Sequence, residues 1–312
     1  DPSGKDSGVR DVPPALAAFF ASGERMSAGR VDTGDIAKQF VNTRTGLVQL
    51  IDQMPANFSG NITAGTSRPV GEGELGLIGT AGYSNAWRTK SITEQNPASL
   101  DLSRLDKDYR KVASENRIVI NGLAGLGYEY GDGHRLRWTN LIVRDTLKRT
   151  SLAEGKQNNQ RPTFDFLEQE TGWYERQLWS SQLSAGFNLD PLKVDARVAL
   201  AKSTREAPFE LGMGYSKSNI AASPYGDYYI NRLDNGQTGY GRIAFSDLEE
   251  DLFSYGLDLT YSVSPTTVLS AGLEYGKTER DSERREFLML APSSFLSGVA
   301  MFRPDYLLGS AV

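Results

Sequence analysis

Cysteine is absent from this 312-residue chain, and histidine occurs once, at His134. The first absence excludes a disulfide scaffold, a thiolate metal site and a cysteine nucleophile. The second leaves no histidine-built zinc centre and one candidate for any histidine-dependent triad. A basic excess is missing too. The net charge of −5 argues against nucleic acid as a partner. No window holds the roughly 18 consecutive apolar residues of a spanning helix. The polar start, Asp1 to Arg10, lacks the apolar centre of a signal peptide. Low hydropathy does not exclude a membrane barrel, which exposes only alternate residues to lipid. There is no G-x-S-x-G element and no Ser/His/Asp set. With 39 acidic residues, carboxylate pairs specify nothing. These absences argue against an enzyme. No catalytic residue, metal ligand or cofactor is assigned.

What the chain does have is glycine, 32 residues of it, and a hydrophobic period of two. Phe253, Tyr255, Leu257, Leu259, Tyr261 and Val263 alternate with Ser254, Gly256, Asp258, Thr260 and Ser262. After Ser264-Pro265 the alternation resumes at Leu269. The same signature predicts four hairpins, at 57–87, 117–147, 177–204 and 251–280. Their turns are Pro69–Gly73, Gly131-Asp132-Gly133, Asp190-Pro191 and Ser264-Pro265. Parity weakens near Asn140, which predicts a bulge. Between hairpins lie long connections: 88–116, 148–176 and 205–250. Short turns alternating with long loops are an outer-membrane pattern. Residues 1–56 read as a loop or helical cap with helices over Ala15–Ala21 and Thr33–Val41. Residues 281–312 read as an extracellular loop region.

The polar parity is Gly, Ser, Thr and Asn with scattered charge, which suits a wet or filled lumen. Asp195, Arg197, Asp258 and Glu274 fall on it and are candidates for contact with the lumen or with a polypeptide that fills it. Aromatics at strand ends, such as Tyr83, Tyr128 and Tyr275, fit interfacial girdles. Trp87, Trp173, Tyr174, Tyr225, Tyr228 and Tyr229 are candidates for ligand contact, because flat rings stack on sugars, siderophores or aromatic compounds. Gly71, Gly73 and Gly76 match G-x-G-x-x-G, but a strand follows where a phosphate site needs a helix. His134 reads as a solvated turn residue. The acidic run Asp247, Glu249, Glu250, Asp251 reads as a solvated strand entrance.

Several strings resemble one family. They are PANFSGNITAG (Pro55–Gly65), GYSNAWRTKSIT (Gly82–Thr93), RWTNLIVRDTLKRT (Arg137–Thr150), WYERQLWSSQLSAG (Trp173–Gly186), EEDLFSYGLDLTYSV (Glu249–Val263), TERDSERREFLMLAP (Thr278–Pro292) and RPDYLLG (Arg303–Gly309). They resemble the barrel region of TonB-dependent outer-membrane receptors of the alphaproteobacterial type. The resemblance implies an all-β, antiparallel transmembrane barrel segment. It would supply about eight strands of a 22-stranded barrel, with long extracellular loops carrying short helices. It also implies a location in the cell outer membrane and capture of a scarce solute for energised uptake. The implied partners are outer-membrane lipid and a TonB complex acting through a plug domain absent from this chain. On this reading the chain is an internal fragment of a longer transporter. The alternative is an autonomous eight-stranded barrel acting as an adhesin or anchor.

Overall fold

The computed structural model describes residues 3–24, 32–40, 46, 48–100, 103–158, 161–233, 240–289 and 301–307. It is an antiparallel meander. The strands are β1 (Phe58–Val70), β2 (Gly73–Pro97), β3 (Leu105–Tyr130), β4 (His134–Gln157), β5 (Asp165–Leu189), β6 (Leu192–Lys217), β7 (Ile230–Asn231), β8 (Gly241–Ser264) and β9 (Thr267–Leu288). They pair in the order β1-β2-β3-β4-β5-β6-β8-β9, with the short β7 beside β6. β1 and β9 are the two ends of this path and do not pair with each other, so the sheet is open. Among the described residues, helices α1 (Pro14–Ser22) and α2 (Thr33–Phe40) precede the sheet, and a helical turn, α3 (Pro304–Leu307), follows it. Val41, the expected end of α2, lies outside the described residues.

The turns form where Gly and Pro punctuate the alternation. Gly71, Gly131 and Gly133 adopt positive φ, which tight reversals need and side chains resist. The strands, however, are far longer than the sequence pattern predicts. Apart from β1 (13 residues) and β7, each runs 22–26 residues, about 80 Å at roughly 3.3 Å per residue. The expected connections 88–116 and 148–176 are mostly paired strand. Trp87 opposite Asn116 continues upward in register to Asn96 opposite Lys107. Glu249 and Glu250 likewise lie within β8, and 281–288 within β9. Alternation fails there because both faces carry polar side chains, so period two leaves no trace.

Register assigns every strand residue to one of two faces. The apolar face holds Leu77, Ile120, Ile142, Leu183, Val198, Leu257 and Leu273. The polar face holds their sequence neighbours. β3 and β4 pair without interruption through Asn140, so the expected bulge there is absent. Asn140 is a polar residue on the apolar face, between Trp138 and Ile142. Apart from shifts at the ends of β2 and β8, the break in register is in β6. Between Glu206 and Phe209 it advances one residue more than β5 and β8 do, next to Pro208. Proline lacks the N–H a regular ladder position needs, and a bulge accommodates it. The extra residue moves β6's apolar positions from even numbers to odd, and so keeps Phe209, Leu211 and Met213 on the apolar face.

Near the short turns the apolar face is an exposed band. Leu77, Trp138, Ile142, Leu183, Val198, Leu259 and Leu273 all stand in solvent. Aromatic rows bound it. Tyr128, Tyr130, His134 and Phe187 follow one another on the turn side, with ring centroids 5.4, 5.0 and 6.0 Å apart. Phe253, Tyr255 and Tyr275 form the far row, at 6.0 and 5.3 Å. His134, at the start of β4, therefore packs within an aromatic row, and its Nδ1 accepts the Asn188 backbone N–H at 3.1 Å. Beyond the far row the apolar face changes character. Leu16 of α1 and Ile36 of α2 pack with Phe209, Leu211, Met213, Ile243 and Phe245 in a buried cluster. Phe20 stacks on Phe287.

Candidate functional site

The polar face carries its charges in tiers. Closest to the turns, Arg135 donates to Asp195 at 2.7 Å, and Arg197 donates to Asp258 at 2.6 Å and Glu274 at 3.4 Å. The side chains come from four strands, β4, β6, β8 and β9, and register alone sets them side by side. Glycine lets these pairs lie flat. A methyl group on Gly186 would stand 2.6 Å from Arg135 Nε, and one on Gly256 2.7 Å from Arg197 Cζ. One on Gly272 would collide with Asp258. A groove of about 700 Å³ runs over this tier, lined also by Glu74, Glu129, Arg137 and Gln182. Glu74 and Glu129 are direct cross-strand partners of like charge, an arrangement that is unfavourable unless an opposing charge meets them.

The middle tier is a bidentate pair. Arg117 Nε and Nη2 donate to the Asp145 carboxylate at 2.8 and 2.9 Å, and Arg176 approaches it at 3.5 Å. These bonds, with Arg117 the main cause, hold the Asp145 carboxyl below the usual carboxylate range. Higher still, Lys90 meets Glu115 at 2.9 Å and Arg284 meets Glu210 at 3.0 Å.

The top tier is the most enclosed. Tyr109 and Phe166 are fully buried. Tyr109 donates to Glu168 at 3.3 Å and accepts from Gln157 at 2.6 Å, while Lys107 Nζ lies 4.5 Å from its ring centroid. Glu170 accepts from Tyr240 at 3.0 Å, Lys111 at 3.2 Å and Arg242 at 3.4 Å. The two carboxyls shift in opposite directions. Burial raises Glu168 above its ordinary value. Burial acts on Glu170 the same way, but Lys111, Tyr240 and Arg242 outweigh it and hold Glu170 low. Burial, with Glu168 and Glu170 beside them, pushes the Tyr109 and Tyr240 phenols up.

The lumen candidates Asp195, Arg197, Asp258 and Glu274 thus lie in one connected tier. Sequence reasoning missed Arg135, Arg137, Glu74 and Glu129 in the same groove. Counting back in register from the Gly131–Gly133 turn would have found them.

The aromatic candidates do not converge. Trp87 is on the apolar face, its backbone N–H held by Asn57 Oδ1 at 2.6 Å. Trp173 is buried on the same face between Arg10 and Lys148, 4.1 and 4.4 Å from its ring. Tyr174, the next residue, points to the polar face, with Arg205 5.6 Å from its ring. Tyr225 and Tyr228 are exposed in the β6–β7 loop. Tyr229 donates to Glu154 at 2.6 Å.

The acidic run is also divided. Asp247, Glu249 and Asp251 occupy the apolar face above the band, where Lys202 pairs with Glu249. Glu250 occupies the polar face and pairs with Arg280. Across β5, β6, β8 and β9 one cross-strand row, Glu175, Glu206, Asp247 and Glu283, is acidic. Burial first, then Glu175 and Asp247, raise the Glu206 carboxyl. Among the described residues no group of three or more His, Cys, Asp or Glu side chains is placed to hold a metal ion.

No protein-family model matches the chain, and no curated protein matches it by sequence. Among solved structures it matches the siderophore receptor PiuA from Acinetobacter baumannii at 9% identity with a TM-score of 0.22, over 73% of this chain and 46% of that one. It matches the copper transporter OprC at 10% identity with a TM-score of 0.14, over 75% of this chain and 42% of that one. The chain therefore spans less than half the length of either structure.

Proposed function

We propose that the chain is a section of the wall of a TonB-dependent outer-membrane receptor, which takes up a scarce small solute from the cell surface. One observation carries this reading. A single sheet has an exposed apolar band edged by aromatic rows on one face and flat, glycine-spaced ion pairs on the other. Lipid suits the first face and a hydrated or filled lumen the second. The band's height matches the roughly 9–11 residues a tilted strand needs to cross hydrocarbon. The open ends at β1 and β9 fit a larger barrel better than a free-standing eight-stranded one, in which these two strands would pair. The lower tier would face the plug, and the enclosed top tier with the exposed loop tyrosines Tyr225 and Tyr228 would face arriving solute. Siderophores, saccharides and aromatic compounds are the solute classes that aromatic and paired polar groups suit.

The coding sequence on either side of this segment tests the reading. A plug with a TonB-recognition segment upstream, and further alternating strands downstream, is the expected result. A signal peptide immediately before Asp1 with a stop after Val312 would replace the receptor with a free-standing barrel.

A further inference from the structure

β1 is half the length of its neighbour β2. It pairs with β2 only as far as Phe58 opposite Asn85, so among the described residues the far half of β2, from Ala86 to Pro97, has an open edge. Its pairing with β3 is regular from Ala86 to Asn96, and the first irregularity and the only proline come at its far end, at Pro97. Directly before β1 the chain exposes three large apolar side chains in irregular structure: Leu50 is 93% exposed, Ile51 61% and Met54 43%.

We infer that residues 48–56 form a movable upper half of β1 that zips onto the open edge of β2.

The register supports this residue by residue. Continued upward from Phe58 opposite Asn85, it sets Met54 against Thr89, Gln53 against Lys90, Ile51 against Ile92 and Gln49 against Glu94. The one large apolar residue on the polar side of the segment thereby meets the one on the edge. Val48, Leu50 and Met54 fall on the apolar face, in line with Phe58 and Ile62.

Pro55 looks like an obstacle and is not one. The Trp87 backbone N–H points to the open edge, because Asn57 Oδ1 receives it. In an antiparallel ladder every second residue points the same way. The β2 residues aimed at the segment are therefore Trp87, Thr89, Ser91 and Thr93, and their partners are Ala56, Met54, Asp52 and Leu50. Pro55 belongs to the alternate set and directs its missing N–H away from β2. It removes no bond to β2 and blocks pairing on the far side, which is where an edge proline protects. The Asn57 side chain fills the first ladder position while the segment is away.

The consequence is a wall with a slot one strand wide above the apolar band, closed when the segment pairs. The pairing follows from register and stands whether or not the receptor reading does, and its test reads pairing rather than uptake. The chain has no cysteine of its own, so two can be placed cleanly. In the full-length protein in detergent micelles, Ile51→Cys with Ile92→Cys occupies a position where opposed Cα atoms of a non-hydrogen-bonded pair approach to about 4.5 Å, within disulfide reach. Under oxidising conditions this pair is expected to give at least about tenfold more cross-link than Leu50→Cys with Ile92→Cys, whose side chains fall on opposite faces. Equal yields, or none from the first pair, overturn the proposal. Hydrogen exchange on the unmodified protein gives a second reading. The Ser91 and Thr93 amides should exchange at least about tenfold more slowly than an unpaired edge. Exchange at the free-chain rate overturns the proposal, and protection without the 51–92 cross-link assigns the edge to another strand.

Discussion

The same strands live in two environments. Near the short turns, no described residue covers the apolar face, and the polar face is a thin lattice of ion pairs over glycine. Beyond the far aromatic row, protein covers the middle of both faces, while Val112 and Leu152 stay exposed. Helices α1 and α2 bury Phe209, Leu211 and Ile243 on one side, and Tyr109 and Phe166 are buried on the other. In the first region the sheet supplies half an interface and a solvent must supply the rest. In the second it carries its own core. Burial in this molecule is therefore a matter of height along the strand, not only of which face a residue occupies.

Substitutions can break that contrast. The largest effect is expected in the self-covered region. Phe209→Ala, at a side chain 6% exposed beside Phe245, should cost about 3–5 kcal/mol by urea unfolding in micelles. The cost should be the same in lipid vesicles, since protein fills the site. Leu257→Arg, in the middle of the apolar band, should cost about 2–4 kcal/mol in vesicles. Its effect should shrink in a water-soluble polymer belt, and an equal cost in both would remove the lipid from the account. The smallest effect concerns Glu168. Its carboxyl is raised in the folded state, so its contribution is full below the unfolded value of about 4.3 and is lost as pH rises through the folded value. Glu168→Gln should flatten the pH dependence of amide exchange around Tyr109 in that window while leaving exchange at Leu257 unchanged.

The sequence made the first environment readable and hid the second. Phe253 to Val263 alternates because one face of the sheet is apolar there and the other polar, so each parity has one chemistry. From Lys107 to Arg117 both parities mix charged with uncharged residues, Tyr109 and Ala113 on one and Val112 and Ser114 on the other, because local cover decides burial there. Pattern alone reads such a stretch as a loop. The bulge was misplaced for a related reason. Asn140 breaks the chemistry of its parity without breaking register, whereas Pro208 marks the true break. Trp173 and Tyr174 look like one aromatic cluster in the sequence, yet a strand must send neighbours to opposite faces. The lower polar tier was legible because its members share parity with the clearest hairpins. The top tier was not, since Tyr109, Glu168, Glu170 and Tyr240 come from segments the pattern left unassigned.

The glycines beneath the lower ion pairs have a mechanical consequence. With Gly186, Gly256 and Gly272 below them, the guanidinium and carboxylate groups lie close over the backbone of the wall. Each charge is already answered by a neighbour. On the receptor reading, a body moving along this tier would trade one paired polar contact for the next, and the wall would act there as a bearing rather than a clamp.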